Sequence, residues 1–180
     1  IPLPKALYDQ GLQGRKNSKG LDLNNPLTYS ELAIAMDKIQ NKHNQAGPII
    51  NGQLQSEGKQ QVMNNPSHLA KQIGQCYSAQ AEDINNAFES ASLAQPSWDQ
   101  RGGDGRAIIL ETMANLLEEQ QSALMAQIGI EAGRTVHDTL DEVREAVDFC
   151  RYYAQQARLR FSKAITLPGP TGEHNTLSLH

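Results

Sequence analysis

Apolar residues recur at alternating steps of four and three between Glu131 and Phe161. This spacing predicts an α-helix of about seven turns with one apolar face. We call that face the apolar seam, and it consists of Val136, Leu140, Val143, Val147, Cys150, Ala154, Ala157 and Phe161. The rest of the helix carries acidic and aromatic side chains. The helix is therefore either scaffold alone or scaffold that contributes a side chain to a site.

Shorter elements precede this helix. Residues 1–27 have the Pro- and Gly-rich composition of a linker between modules. Residues 28–46 predict a helix with a weak apolar stripe, capped by Thr28 or Ser30. Residues 47–78 contain β-favouring stretches separated by Gly, Asn and Pro, which predict two or three short strands.

Residues 79–164 predict three helices. The first ends before Pro96, because proline disfavours helical backbone in the preceding residue. The second begins with Asp104 as its N-cap and ends near Gly133, and the third carries the seam. Residues 165–180 break the helix and begin a strand. The predicted fold is mainly α with a small β-hairpin portion, or α+β taken as a segment.

Composition limits the classes of function. A net charge of −4 without any Lys/Arg block argues against a nucleic-acid partner through this segment. Cys76 and Cys150 lack the spacing of a disulfide framework, which favours a reducing compartment. Apolar residues make up only 38%, and the chain begins with Ile1 and ends in NTLSLH. We therefore interpret it as a segment of a longer protein.

Few residues qualify as chemical groups. A catalytic Cys76 is disfavoured, because it lies in a predicted strand with no His or Asp close by in sequence. Cys150 lies on the seam, where a small buried residue is the norm. The five histidines show no metal-binding spacing, so no metal ligand is predicted. The run from Gly102 to Gly105 precedes a helix but lacks a strand and a lysine, so we interpret it as a flexible connection.

Glu145 allows two interpretations. It points away from the seam, and Phe149 and Tyr152 follow at four and seven residues on the same side. One interpretation is an ordinary solvated acidic face. The other is a carboxylate beside aromatic rings that holds an ammonium group by charge and hydrogen bonds. The spacing alone favours the solvated face.

Several parts of the chain resemble a known family. EAGRTVHDTLDEVREAVDFCRYYAQQAR resembles the N-terminal helices of aldehyde dehydrogenases, in the form found in the bifunctional proline utilization A family. IPLPKALY with GRKNSKGLDL resembles that family's connector between its proline dehydrogenase and aldehyde dehydrogenase modules. LPGPTGEHNTLSL, together with Trp98 and the stretch Arg106–Leu110, also fits the family pattern.

The resemblance implies an incomplete N-terminal part of an aldehyde dehydrogenase α/β domain. Residues 79–164 would belong to its NAD-binding domain, and residues 165–180 would begin an oligomerisation hairpin. The parent would oxidise proline to glutamate with FAD in one module and NAD in the other. It would be a bacterial cytoplasmic enzyme and a homo-oligomer, with at most peripheral attachment to the inner membrane.

The resemblance also assigns a role to one residue of this chain. Alignment through Asp148, Phe149, Arg151 and Tyr152 places the family's substrate-binding glutamate at Glu145. That glutamate contacts the amino group of glutamate semialdehyde. The family's catalytic cysteine, general base and dinucleotide site would lie beyond residue 180, so no catalytic or cofactor-binding residue is predicted here. Alone, the segment should be inactive.

An alternative from another class is a stand-alone helical module that binds a partner helix through the seam. The two hypotheses differ in what covers the seam. If the chain is part of a dehydrogenase, we expect the seam to face the absent portion of the domain. It would then be exposed in the isolated segment, which should self-associate or be partly disordered.

Overall fold

The structure is a computed structural model that describes residues 15–40 and 44–179. Five helices and seven strands are present in this part of the chain. The helices are α1 (Pro26–Gln40), α2 (Ala81–Gln100), α3 (Gly102–Glu119), α4 (Gln121–Ala132) and α5 (Val136–Phe161). The strands are β1 (Asn44–Ala46), β2 (Ile49–Ile50), β3 (Gln53–Leu54), β4 (Gln60–Asn65), β5 (His68–Tyr77), β6 (Ile165–Leu167) and β7 (Asn175–Leu177). The predicted fold class, mainly α with small β portions, is confirmed.

The chain divides into two compact units, and two of the helices cross from one unit to the other. The first unit takes in described residues from 15–20, 96–119 and 142–179. The second takes in residues from 21–95 and 120–141. The linker predicted over residues 1–27 lies partly outside the described residues, and its described part begins at residue 15.

The core of the first unit is formed by α3 against the apolar seam of α5. One buried cluster joins Ala107 of α3 to Ala154 and Ala157 of α5. A second joins Ala114 to Val147 and Cys150. The small alanine side chains allow the two helix backbones to approach closely. Leu110 and Leu117 of α3 pack at the edges of these clusters.

This core corrects the expectation that the seam would be exposed. Leu140, Val143, Val147, Cys150, Ala154 and Ala157 are all buried within the chain, and Val136 and Phe161 are half-buried. The periodicity identified the buried positions of α5, but the partner of the seam in the first unit is α3. The seam is therefore not available to a separate partner helix.

The second unit contains a three-stranded sheet in the order β1-β5-β4. β1 is parallel to β5, whereas β4 is antiparallel to it, with an irregular register near Asn64. β2 and β3 form a separate antiparallel pair. α1 packs on α4, where Leu32 and Met125 are almost fully buried. In the first unit, β6 and β7 form an antiparallel hairpin.

Several predicted boundaries differ from the structure. α1 begins at Pro26, where the Asn25 side chain accepts a hydrogen bond from the backbone N–H of Leu27 at 3.0 Å, so Asn25 replaces Thr28 or Ser30 as the cap. Residues 44–46 of the helix predicted over 28–46 form a strand instead. The region 47–78 holds four strands, and 79–164 holds four helices, because the predicted second helix is divided between Glu119 and Gln121.

The helix α2 continues through Pro96 to Gln100, beyond the predicted stop. Proline removes one helical hydrogen bond, but its fixed φ is itself close to the helical value. The helical turn after Pro96 is also held by a side chain of α3. The Arg106 guanidinium pairs with Asp99 at 2.8 Å and lies 5.7 Å from the ring centre of Trp98. Trp98 is consequently part of the helix rather than of a connection.

Candidate functional site around Glu145

Glu145 lies near the middle of α5, on the surface of the first unit. Its side chain is exposed, whereas Val143 and Val147 on either side of it are almost fully buried. No hydrogen bond or ion pair joins its carboxylate to another residue described in the structure.

Three aromatic rings follow Glu145 on the same helix. Phe149 and Tyr153 stack with ring centres 6.2 Å apart, and Tyr152 meets Tyr153 edge-on at 5.2 Å. All three are exposed, with 51% of Phe149 accessible. We call Phe149, Tyr152 and Tyr153 the aromatic cluster. Tyr153 was missed in the sequence, although its position four residues after Phe149 on a helix is a usable signal.

A set of hydrogen bonds holds residues 15–19 against the same helix. Both carboxylate oxygens of Asp148 accept hydrogen bonds from Ser18, from its backbone N–H at 2.7 Å and from its hydroxyl at 2.8 Å. Arg151 donates to the carbonyl of Asn17 at 3.1 Å. The Arg15 guanidinium lies 5.8 Å from the ring centre of Tyr152. We call residues 15–19 the strap.

The strap also contacts α3, through a carboxylate that forms an ion pair with α5. Arg151 binds both carboxylate oxygens of Glu118, at 3.1 and 2.8 Å, and the backbone N–H of Lys19 donates to Glu118 at 2.8 Å. Burial acts to raise the pKa of Glu118, but these hydrogen bonds outweigh it and the pKa is lowered. Sequence reasoning did not detect this network, since its members lie 33 to 134 residues apart.

The cysteines occupy the element types predicted for them. Cys76 is half-buried in β5, paired opposite Gln61 and Ala46, and its sulfur lies 3.9 Å from the carbonyl oxygen of Tyr77. Cys150 is buried on the seam, and burial raises the pKa of its thiol. A raised pKa keeps the thiol protonated at neutral pH, which opposes nucleophilic use.

The segment Gly102–Gly105 forms the first turn of α3 rather than a flexible connection. Gly102 has φ of +62°, a left-handed conformation that glycine adopts without strain. Asp104 lies within the first turn, not at the cap, and forms an ion pair with Arg158 at 3.5 Å. Its carboxylate therefore contributes a salt bridge between α3 and α5.

Neither a metal-binding cluster nor a membrane-spanning helix is present in the part of the chain that the structure describes. No group of three His, Cys, Asp or Glu side chains is arranged to hold a metal ion within residues 15–40 and 44–179. None of the helices in that same part of the chain is long and apolar enough to cross a membrane. His43 and His180 lie outside the described residues.

Comparison with known sequences decides the family. The sequence profile of the aldehyde dehydrogenase family matches residues 54–179. The chain belongs to the aldehyde dehydrogenase family. Trp98 and Arg106, which contact each other, both belong to the sequence pattern that resembles this family. This contact is extended by Phe161, whose ring centre lies 5.1 Å from the same guanidinium.

Relatives within this family include bifunctional enzymes. The chain is 37% identical over 171 residues to the Bifunctional protein PutA of Klebsiella aerogenes, covering 94% of this chain and 13% of that protein. It is 26% identical over 161 residues to the 1-pyrroline-5-carboxylate dehydrogenase of Staphylococcus haemolyticus, covering 89% of this chain and 31% of that protein. The chain therefore spans only a small part of these relatives.

A solved aldehyde dehydrogenase has a similar fold. The 1-pyrroline-5-carboxylate dehydrogenase from Thermus with bound NAD superposes with a TM-score of 0.78 at 24% sequence identity. The match covers 86% of this chain and 30% of that protein. The described arrangement of helices and strands is therefore that of part of an aldehyde dehydrogenase.

Proposed function

We propose that this chain is the N-terminal helical part of an NAD-dependent dehydrogenase module that oxidises glutamate semialdehyde. The module would belong to a bifunctional enzyme that converts proline to glutamate, with FAD in its other module. The observation that carries this proposal is the 37% identity to the bifunctional relative over 94% of the chain. The likeness to a 1-pyrroline-5-carboxylate dehydrogenase supports the same substrate.

In this proposal the chain binds substrate but carries out no chemical step. The catalytic cysteine, the general base and the dinucleotide site would lie outside it. Residues 79–164 would belong to the NAD-binding domain. NAD, when bound, supplies the hydride acceptor. The β6–β7 hairpin would begin the surface through which the enzyme forms a homo-oligomer. The parent would be a bacterial cytoplasmic enzyme, attached to a membrane at most peripherally.

Glu145 is the residue proposed to bind substrate. Its exposed carboxylate has no described partner and lies on the helical face that continues into Phe149 and Tyr152. A carboxylate forms charge-assisted hydrogen bonds with an ammonium group, and neighbouring aromatic faces also attract cations. The amino group of glutamate semialdehyde has the chemistry that this surface recognises.

The test measures the kinetics of Glu145→Ala in the full-length enzyme that carries this chain. Removal of the charged hydrogen bond should weaken substrate binding by about 1.5–3 kcal/mol and raise KM accordingly. The KM for NAD should be unchanged. An aldehyde of the same length without the amino group, glutarate semialdehyde, should show the same KM in both proteins.

Glu119→Ala is the matched control, because Glu119 is an exposed carboxylate on α3 outside the proposed site. It should leave both KM values as in the wild type. If Glu145→Ala lowers only the melting temperature, or raises KM equally for both aldehydes, Glu145 does not recognise the amino group. Absence of semialdehyde oxidation by the wild-type enzyme would reject the proposed function as a whole.

A further inference from the structure

A cavity of about 290 Å³ lies in the first unit between the strap and helices α3 and α5. This volume is close to the lower end of the range for small-molecule pockets, about 300 Å³, so the cavity can hold only a small ligand. Arg15, Lys16, Glu111, Asn115, Arg151, Gln155 and Arg158 line it. Glu145 does not, so the cavity does not include the carboxylate proposed to bind the aldehyde substrate.

The lining of the cavity is predominantly cationic. Four of its seven side chains carry a positive charge, one carries a negative charge, and the other two are carboxamides that supply N–H donors. The chain as a whole has a net charge of −4. The four cations outnumber the three carboxylates that pair with Arg151 and Arg158, which are Glu118, Glu111 and Asp104, so the cavity keeps a small excess of positive charge that attracts anions.

Two of the arginines are already held in place by carboxylates. Arg158 binds both oxygens of Glu111, and Arg151 binds both oxygens of Glu118. The hydrogen bond from Arg158 is the largest contribution that lowers the pKa of Glu111, which stays ionised and offsets its partner. These pairs orient the guanidinium groups on the wall, while Arg15 and Lys16 bring further positive charge from the strap.

We propose that this cavity binds a small molecule through phosphate or carboxylate oxygens that together carry about two negative charges. Guanidinium and ammonium groups form strong charge-assisted hydrogen bonds with phosphate and carboxylate oxygens. Asn115 and Gln155 provide neutral donors for further oxygens of the same ligand. Because the cationic lining comes from the strap as well as from α5, a bound oxyanion also stabilises the docked strap.

Isothermal titration of inorganic phosphate tests this proposal in the full-length protein, with chloride added to keep the ionic strength constant. We expect the double variant Arg15→Ala/Lys16→Ala to bind phosphate at least about tenfold more weakly than the wild type, because two charge-assisted contacts are lost. The matched control is Arg160→Ala/Lys163→Ala, which removes the same two charge types from exposed positions outside the cavity. It should bind phosphate as the wild type does.

A second variant tests the cavity without changing any residue of the strap. Asn115 accepts a hydrogen bond from Arg151 at 3.5 Å, and aspartate at this position still accepts it while adding a negative charge to the lining. Asn115→Asp should therefore weaken phosphate binding with no loss of thermal stability. A parallel titration with succinate distinguishes a phosphate ligand from a dicarboxylate by which of the two binds more tightly.

The site is supported if both cavity variants bind phosphate or succinate more weakly than the wild type does, while Arg160→Ala/Lys163→Ala binds the same anion as the wild type does. Equal binding by the wild type and the Arg15→Ala/Lys16→Ala variant would overturn the proposal, since any bound anion would then occupy another site. Failure of the wild type to bind either phosphate or succinate would overturn it as well. Neither result bears on Glu145, whose test uses the aldehyde substrate.

Discussion

Ser18 and Asp148 are 130 residues apart in sequence, yet Ser18 donates two hydrogen bonds to the Asp148 carboxylate. Ser18 is only 1% exposed. Its hydroxyl and backbone N–H donate to different oxygens of the carboxylate, so two hydrogen bonds fix the strap on α5. This contact makes part of a linker-like sequence a fixed part of the first unit.

The Ser18→Ala variant should be less stable by about 1–2 kcal/mol, because one oxygen of a half-buried carboxylate loses its donor. Urea denaturation provides the measurement. Ser56→Ala, at an exposed position of the second unit with no described side-chain contact, should change the free energy of unfolding by less than about 0.5 kcal/mol. Equal stability of Ser18→Ala and the wild type would show that the strap is not held by this bond.

Replacing Glu118 with glutamine should reveal a pH-dependent contribution to stability. The folded-state pKa of Glu118 lies below its ordinary value of 4.5. A lowered pKa means that the ionised form contributes stability above the unfolded pKa, and that this contribution is lost as the pH falls through the folded pKa. Glu118→Gln should therefore cost about 2 kcal/mol at pH 7, as expected for a hydrogen bond to a charged group.

Melting temperatures of both proteins between pH 3 and pH 7 check this prediction. The difference between wild type and Glu118→Gln should be constant above the ordinary value of 4.5 and should shrink below it. A difference that stays the same across the whole range would mean that ionisation of Glu118 does not contribute to stability.

Gly103→Ala should destabilise the contact between the start of α3 and the end of α5. A methyl group at Gly103 would lie 2.3 Å from the carbonyl oxygen of Ala157 and 2.9 Å from the backbone nitrogen of Ser162. Backbone atoms cannot rotate away, so a loss of about 1–3 kcal/mol is expected. Gly20→Ala is the control, because nothing lies within 4 Å of the added methyl group. Chemical denaturation of both variants decides the point.

Val147→Ala should leave a cavity in the core between α3 and α5. Val147 is 1% exposed and contacts Ala114 and Cys150, so about 2–4 kcal/mol should be lost. Leu159→Ala removes a larger side chain from the same helix, but Leu159 is 45% exposed and its loss should be nearly neutral. Similar costs for the two variants would contradict the assignment of the core.

When purified alone, the 180-residue chain should self-associate through exposed apolar side chains. The helix α2 has no buried residue, and Ile84, Phe88 and Leu93 on it are each at least half exposed. Phe88→Glu should reduce the association seen by light scattering, whereas Glu82→Gln should not. A monomer at every concentration measured would contradict this prediction.

Local spacing along the chain was enough to predict the buried seam positions of α5 and the end of the preceding helix at Gly133. Gly133 adopts φ of +65°, the left-handed conformation that glycine commonly adopts just after a helix. These features depend on residues within one or two turns of each other, so local spacing is enough to predict them. The fold class and the family also followed from the sequence.

The sequence pattern did not predict what covers the seam, why α2 continues past Pro96, or which residues hold the strap. Each of these depends on side chains from distant parts of the chain, such as Ala114 with Val147 or Ser18 with Asp148. Periodicity shows that a helical face is buried, but it carries no information on the surface that buries it. Glu145 is exposed because the buried seam lies on the other side of α5. The sequence predicts the seam, and the tertiary structure supplies α3, which covers it.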